Sequence, residues 1–99
     1  MSPIQAVFEK LETSLTPVAQ AIHKGVNMKV LAIGFKKGMI MRDHKTHLPA
    51  TLTVLSGKVL YRMEEEETRL TSFEQQEIPV NVTHSVEALE DSLCLLTQG

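Results

Sequence analysis

Residues 51–63, TLTVLSGKVLYRM, carry the clearest signal of the fold. Before Ser56 and Gly57, threonine alternates with leucine and valine. After them, an apolar residue recurs at every second position, namely Val59, Tyr61 and Met63. Successive side chains of a strand point to opposite faces, so this period of two predicts strands with one buried face. Ser and Gly are turn residues. The stretch therefore predicts two strands that meet at Gly57.

Short β-like runs continue on both sides of this stretch. Upstream, residues 18–23 and 28–35 flank Gly25-Val26-Asn27, which predicts a hairpin. A short apolar run follows at residues 39–41, with a loop or strand end at 43–49. Downstream, Ile78, Val80 and Val82 resume the period of two, and residues 93–96 supply a last apolar run. Many short strands at regular spacing indicate an all-β sandwich or barrel.

The first residues follow a different pattern and predict a short helix. Ser2 can cap it, Pro3 suits its first position, and Gln5 lies three residues after the cap, as in a capping box. Apolar residues then recur at helical spacing, namely Ile4, Val7, Phe8 and Leu11. We therefore expect one domain over residues 1–99, with a helical extension at 1–16 and a β-barrel at 18–97.

Composition excludes several classes of function. The 99 residues have a net charge of −2, and their ten Lys and Arg are too scattered for a nucleic-acid interface. No apolar stretch approaches the ~20 residues of a membrane span, and Glu9, Lys10 and Glu12 occupy the place of a signal peptide's apolar region. Cys94 is the single cysteine, which fits a reducing compartment. We expect a cytoplasmic protein that binds neither nucleic acid nor membrane.

Two segments resemble the motifs of the cupin superfamily. Gly38, five residues, His44 and then Gly57 are similar to the first motif, G-x5-H-x-H-x3,4-E-x6-G. Residues 79–84, PVNVTH, are similar to the second motif, G-x5-P-x-G-x2-H-x3-N. The resemblance covers roughly residues 18–97. It implies a cupin-type jelly-roll β-barrel, in which two sheets close around a pocket.

The sequence departs from the family at several motif positions. The four places that hold metal ligands in metal-binding cupins are occupied here by His44, Thr46, Ala50 and His84. Two of the four ligands are thus retained. The glycine that opens the second motif is replaced by Phe73, the one after the proline by Asn81, and the final asparagine by Ala88.

The resemblance places His44 and His84 on adjacent strands at one end of the barrel, so we expect them to share one pocket. Strand parity sends His47 to the opposite side, unless a bulge lies between it and His44. Parity and position add five further candidates for ligand binding, each of which also fits a purely structural core role: Met41, Leu52, Val54, Tyr61 and Met63. A divalent metal ion is a candidate cofactor, held by His44 and His84, with His47 as a more remote third ligand.

Three functions fit these residues. The first is a stand-alone cupin that binds a small molecule in the barrel. The second is a metal-dependent cupin enzyme of the dioxygenase or isomerase type, which uses His44 and His84. The third is a structural or sensory module whose pocket is filled by its own side chains. We also predict a homodimer, because one small barrel does not cover the apolar helix face; its interface would include that helix or an edge strand.

Overall fold

The computed structural model describes the backbone of all 99 residues and every side chain except those of Asp43 and His44. One helix, α1 (Pro3–Leu11), precedes the strands. The strands are β1 (Val18–Lys24), β2 (Lys29–Phe35), β3 (Ile40–His44), β4 (Ala50–Ser56), β5 (Lys58–Met63), β6 (Glu66–Thr71), β7 (Gln75–Ile78), β8 (His84–Ala88) and β9 (Ser92–Gln98). No helix in the described part of the chain is long and apolar enough to cross a membrane.

The strands form two antiparallel sheets. The larger has the order β1-β2-β9-β4-β7 and the smaller the order β3-β8-β5-β6. Several neighbouring strands in both sheets, such as β2 and β9 or β3 and β8, are far apart in sequence, as in a jelly roll. The predicted all-β barrel with a short N-terminal helix is therefore confirmed.

The core lies between the two sheets. Its largest fully buried members come from both, including Ile33, Phe35, Leu52, Val54, Val59, Tyr61 and Val86. The predicted alternation is visible in β5, where Val59 and Tyr61 are buried while Lys58 before them and Leu60 between them are half-buried. Hydrophobic burial of these residues is the main force that closes the barrel.

Helix α1 packs on the outside of the larger sheet. The capping box is present: Ser2 Oγ accepts from the backbone N–H of Gln5 at 3.1 Å, and Gln5 Oε1 accepts from the N–H of Ser2 at 2.8 Å. Val7 and Leu11 are buried against β2 at Gly34, where an added Cβ would lie 2.6 Å from Val7 Cγ1. The absence of a side chain at Gly34 therefore sets how closely the helix approaches the sheet.

The strand predicted from the sequence at residues 78–82 does not form. The period of two at residues 78–82 predicts a strand, but β7 ends at Ile78 and a turn follows. Pro79 has no N–H to donate to a sheet, and Asn81 takes a left-handed conformation with φ 62°. These two residues outweigh the apolar alternation of Ile78, Val80 and Val82, and the chain turns before it enters β8.

Candidate functional site

The two motif segments meet at one end of the barrel. The Asn81 N–H donates to the carbonyl of Thr46 at 2.9 Å, which joins the turn before β8 to the loop after β3. In the ladder between β3 and β8, the backbone of His44 is the register partner of His84. The spacing of the two motifs in the sequence therefore corresponds to adjacency in the fold.

His84 is a buried histidine at this end of the barrel, with only 3% of its surface exposed. Its Nδ1 lies 3.2 Å from the carbonyl oxygen of Val82, so a proton on Nδ1 is donated to that carbonyl. Its ring stacks on that of Tyr61, with 5.9 Å between the ring centroids and 28° between the ring planes. The backbone and Tyr61 together fix the orientation of the imidazole.

Tyr61 belongs to β5 and places a phenol inside the barrel. Its hydroxyl donates to the sulfur of Met63 at 3.5 Å, a weak acceptor. Burial raises the pKa of Tyr61, because it disfavours the charged phenolate. The phenol is therefore neutral at physiological pH and offers a polar hydrogen but no charge.

The other apolar candidates fall into two groups. Met41 and Met63 are partly buried and pack against the edge of the core. Met63 is the register partner of His84, and Met41 is that of Val86, two residues further along β8. Leu52 and Val54 are fully buried members of the core itself. The two methionines are thus the candidates nearest to the histidine.

His44 and His47 are the other two histidines that the sequence predicts as candidates for binding, and they lie on β3 and in the loop after it. The backbone of His44 is placed opposite His84, but the prediction that its imidazole shares a pocket lies outside the described side chains. His47 is exposed in the loop between β3 and β4. It lines a separate surface hollow of about 250 Å³ with Lys29, Lys45 and Gln98, among others.

A surface cavity lies next to the site, and it was not predicted from the sequence. We call it the outer cavity. It measures about 500 Å³ and is lined by Lys45, Arg62, Glu64, Asn81, Val82, Thr83, His84 and Ser85. Arg62 and Ser85 are cross-strand partners that alternate with the buried Tyr61 and Val86, so they lie on the outer face of the smaller sheet. Strand parity alone assigns Arg62 and Ser85 to the outer face, but it does not show that they are neighbours.

Arg62 is held in place within the outer cavity. Its Nη1 lies 2.8 Å from Glu87 Oε1, and its Nε lies 2.9 Å from Glu67 Oε2. Arg62 is on β5, between β8 and β6, so the two ion pairs connect three neighbouring strands. Hydrogen bonds to Glu87 and then Glu67 raise the pKa of Arg62, which keeps its charge.

The residues present do not fit the four-ligand metal centre of the resembling family. Thr46 Oγ1 is engaged in its own loop, where it donates to the carbonyl of Leu48 at 2.7 Å and accepts from the Leu48 N–H at 3.3 Å. Ala50 carries only a methyl group and is buried in the core. Among the side chains that the structure describes, no group of three or more His, Cys, Asp or Glu residues could hold a metal ion.

Comparison with solved structures identifies similar folds. A cupin superfamily protein from Desulfitobacterium hafniense has a TM-score of 0.80 at 10% identity, over 86% of this chain and 78% of that one. An RmlC-like cupin family protein with a double-stranded β-helix fold, from Methanocaldococcus jannaschii, has a TM-score of 0.77 at 13% identity, with coverages of 88% and 83%. A cupin 2 conserved barrel domain protein from Leptotrichia buccalis has a TM-score of 0.79 at 26% identity, with coverages of 92% and 45%. No family model and no curated protein matches the sequence.

Proposed function

Since this chain is a small cupin-fold protein, we propose that it binds a small organic molecule at the end of the barrel where His84 and Tyr61 lie. The observation that carries the proposal is a buried and oriented imidazole beside two partly buried methionines. A histidine of fixed orientation beside apolar side chains provides one placed polar group in a mostly apolar environment, which is how small-molecule sites are built, so His84 is a candidate for ligand recognition.

The surroundings of His84 favour a ligand of mixed character. The imidazole and the neutral phenol of Tyr61 offer hydrogen bonds to one polar group of the ligand. Met41 and Met63 offer flexible, polarisable side chains for an apolar body. We therefore propose a ligand that carries one carboxylate or hydroxyl on an aliphatic or aromatic frame, bound with the help of His44 and His84 together. Leu52 and Val54 would support the site from the core behind it.

Nuclear magnetic resonance tests this proposal even while the ligand is unidentified. Amide resonances of the ¹⁵N-labelled protein are recorded against a panel of small aliphatic and aromatic acids and alcohols. His84 lines both sites, so binding at the proposed site is recognised by shifts of the amides of Tyr61, Met63 and Met41. Hits whose shifts map to Arg62, Thr83 and Ser85 instead would contradict the interior site and favour the outer cavity.

Substitutions then test the two histidines. We expect His44→Ala and His84→Ala each to weaken binding of any acid or alcohol found, and the double variant to lose less than the sum, because the two groups share one ligand. His47→Ala is the matched control, since His47 is exposed in a loop and lines a different hollow. Equal effects of all three substitutions would overturn the assignment.

The metal-dependent enzyme is the competing candidate, and the two retained histidines are the observation that favours it. Two imidazoles leave a divalent ion short of protein ligands, although an open site could be completed by water or substrate. Elemental analysis of protein purified without added metal separates the two candidates. One equivalent of a transition metal per chain, lost in the His84→Ala variant, would favour the enzyme.

A further inference from the structure

The outer face of the smaller sheet carries a serine with an arginine on each side. Arg62 on β5 is the register partner of Ser85 on β8. Arg42 follows Met41 on β3, and Met41 pairs with Val86, the neighbour of Ser85. Met41 and Val86 face the core, so the residues next to them point outward. Because β8 lies between β3 and β5, the two arginines flank Ser85 from opposite sides.

A hollow of about 430 Å³ joins these three side chains. Its described lining consists of Ile40, Arg42, Arg62 and Ser85, of which two are cationic and none is acidic. We call it the arginine cleft. It shares Arg62 and Ser85 with the outer cavity, so the two hollows adjoin. Serine is short and arginine is long, so Ser85 forms the floor of the cleft and the arginines form its walls.

The Ser85 hydroxyl makes no hydrogen bond within the described part of the chain, although the residue is only 6% exposed. A hydroxyl that is sealed from solvent without a partner costs free energy. No sealed side-chain nitrogen or oxygen atom among the described residues lacks a partner. The Ser85 oxygen is therefore not sealed, and it opens onto the hollows that the residue lines. The floor of the cleft thus offers one placed hydroxyl to a ligand.

Arg62 is already oriented towards a ligand. Glu67 accepts from its Nε and Glu87 from its Nη1, at 2.9 and 2.8 Å. A guanidinium carries more N–H donors than these two contacts use, so Arg62 can bind a ligand without releasing either carboxylate. The two acids offset part of its charge, while Arg42 in the cleft and Lys45 in the outer cavity add positive charge. A side chain fixed in advance loses less conformational entropy on binding.

We propose that the arginine cleft binds a phosphate group, with Arg42 and Arg62 on two sides of it and the Ser85 hydroxyl beneath it. Guanidinium groups match the oxygens of phosphate in geometry and charge. Donors on a floor and two walls do not lie in one plane, so they suit a tetrahedral group better than a planar carboxylate. The site is separate from the interior one, because it lies on the opposite face of the smaller sheet from Tyr61.

The phosphate group has two possible sources, which the adjoining outer cavity distinguishes. A phosphorylated small molecule would extend into that cavity, where the side chains of Asn81 and Thr83 offer an amide and a hydroxyl. Free inorganic phosphate would contact only the arginine cleft.

Titration of the ¹⁵N-labelled protein with inorganic phosphate is the central experiment, and NaCl at matched ionic strength is its reference. We expect saturable shifts of the Arg42, Arg62 and Ser85 amides, with a Kd in the millimolar range. Glycerol 3-phosphate is the second probe. Tighter binding with added shifts at Asn81 and Thr83 would assign the site to phosphorylated molecules, and equal binding without those shifts would assign it to free phosphate.

Ser85→Ala separates a binding role from a structural one. The variant removes a hydroxyl that has no partner in the described chain, so thermal stability without phosphate should stay equal or rise. Phosphate should bind about tenfold more weakly, because a hydrogen bond to a charged group is lost. Arg42→Gln should weaken binding by at least as much.

Arg69→Gln is the matched control. Arg69 pairs with Leu60 on the same outer face, yet in the described structure it lines neither the arginine cleft nor the outer cavity. Its loss removes the same charge and should leave phosphate binding nearly unchanged. Equal weakening by Arg69→Gln would show general attraction of anions and overturn the proposal. So would phosphate shifts no larger than those of NaCl, shifts confined to Tyr61 and Met63 inside the barrel, or an unchanged Kd in Ser85→Ala.

Discussion

The ring of His84 stacks on the ring of Tyr61 across neighbouring strands of the smaller sheet, with 5.9 Å between their centroids. His84 pairs in register with Met63, two residues beyond Tyr61 on the same face of β5. The contact is therefore diagonal, a distance that aromatic side chains can cover. It links the second motif to the alternating strand that follows the first.

Two substitutions of Tyr61 should separate the contribution of its ring to stability from that of its hydroxyl. Tyr61→Leu leaves a cavity beside His84 and removes the stacking, and we expect a loss of about 2–4 kcal/mol in unfolding free energy. Tyr61→Phe keeps the ring and removes only a weak contact to sulfur, so its cost should stay below about 1 kcal/mol. Urea unfolding of both variants measures the difference. Equal losses would show that the hydroxyl, not the ring, holds the pair together.

The approach of α1 to the larger sheet should depend on Gly34. Gly34→Ala places a methyl group 2.6 Å from Val7 Cγ1, so the helix must shift, at a cost of about 1–3 kcal/mol. Val7→Ala alone leaves a cavity and is also destabilising. The double variant should lose less than the sum, because each change compensates the other. Additive losses would mean that the helix position does not depend on this contact.

Cys94 should be chemically inert in the folded protein. It is fully buried in β9, and burial raises the pKa of its thiol to about 12 from the usual value near 9. A thiol reagent such as Ellman's reagent should leave it unmodified at pH 8 and label it completely in guanidinium chloride. Rapid labelling without denaturant would contradict the burial of the strand.

The raised pKa of the Cys94 thiol should make the stability of the protein depend on pH. The folded-state pKa lies above the unfolded one, so the contribution of Cys94 is complete below pH 9 and is lost as the pH rises towards 12. Unfolding free energies between pH 8 and 11 should fall more steeply for the wild type than for Cys94→Ala. Parallel profiles would show that other groups cause the alkaline loss.

The ion pairs of Arg62 should contribute little to the stability of the fold, and this contribution should decrease as salt is added. The arginine side chain is 40% exposed, and exposed ion pairs add little to stability because water and salt screen them. We expect Arg62→Ala to lower the melting temperature by a few degrees at low ionic strength and by less in 1 M NaCl. Arg62→Lys should restore only part of the loss, because a single ammonium group cannot bond both carboxylates with the same geometry. A loss independent of salt would assign the effect to packing.

The fold was predictable from the sequence because its signals are local. Alternation around Val59 and Tyr61 reflects two faces with different solvent exposure, and the capping box at Ser2 involves only neighbours in sequence. The strand expected at residues 78–82 failed for a local reason as well. Pro79 and Asn81 control the backbone more strongly than three apolar side chains do, so turn chemistry should take precedence over periodicity there.

The candidate site was predictable only in part, because a site depends on which strands lie side by side. The resemblance placed His44 and His84 on adjacent strands, and their backbones are register partners in β3 and β8. The outer cavity at Arg62 and Ser85 depends on the pairing of β5 with β8, and neither strand reveals that pairing by itself. A further surface hollow, of about 410 Å³ beside the β1–β2 hairpin, combines Met28 with Leu48, which are brought together only by the closed barrel.

The position of β9 has a consequence for synthesis on the ribosome. β9 pairs with β2 on one side and with β4 on the other, so it is the middle strand of the larger sheet. It is also translated after every other strand of the barrel, and until it leaves the exit tunnel both neighbours expose unpaired backbone. Such open edges are sites of intermolecular pairing. Substitutions that slow the docking of Ser92–Gln98 should therefore reduce the soluble yield in cells more than they reduce the equilibrium stability of the purified protein.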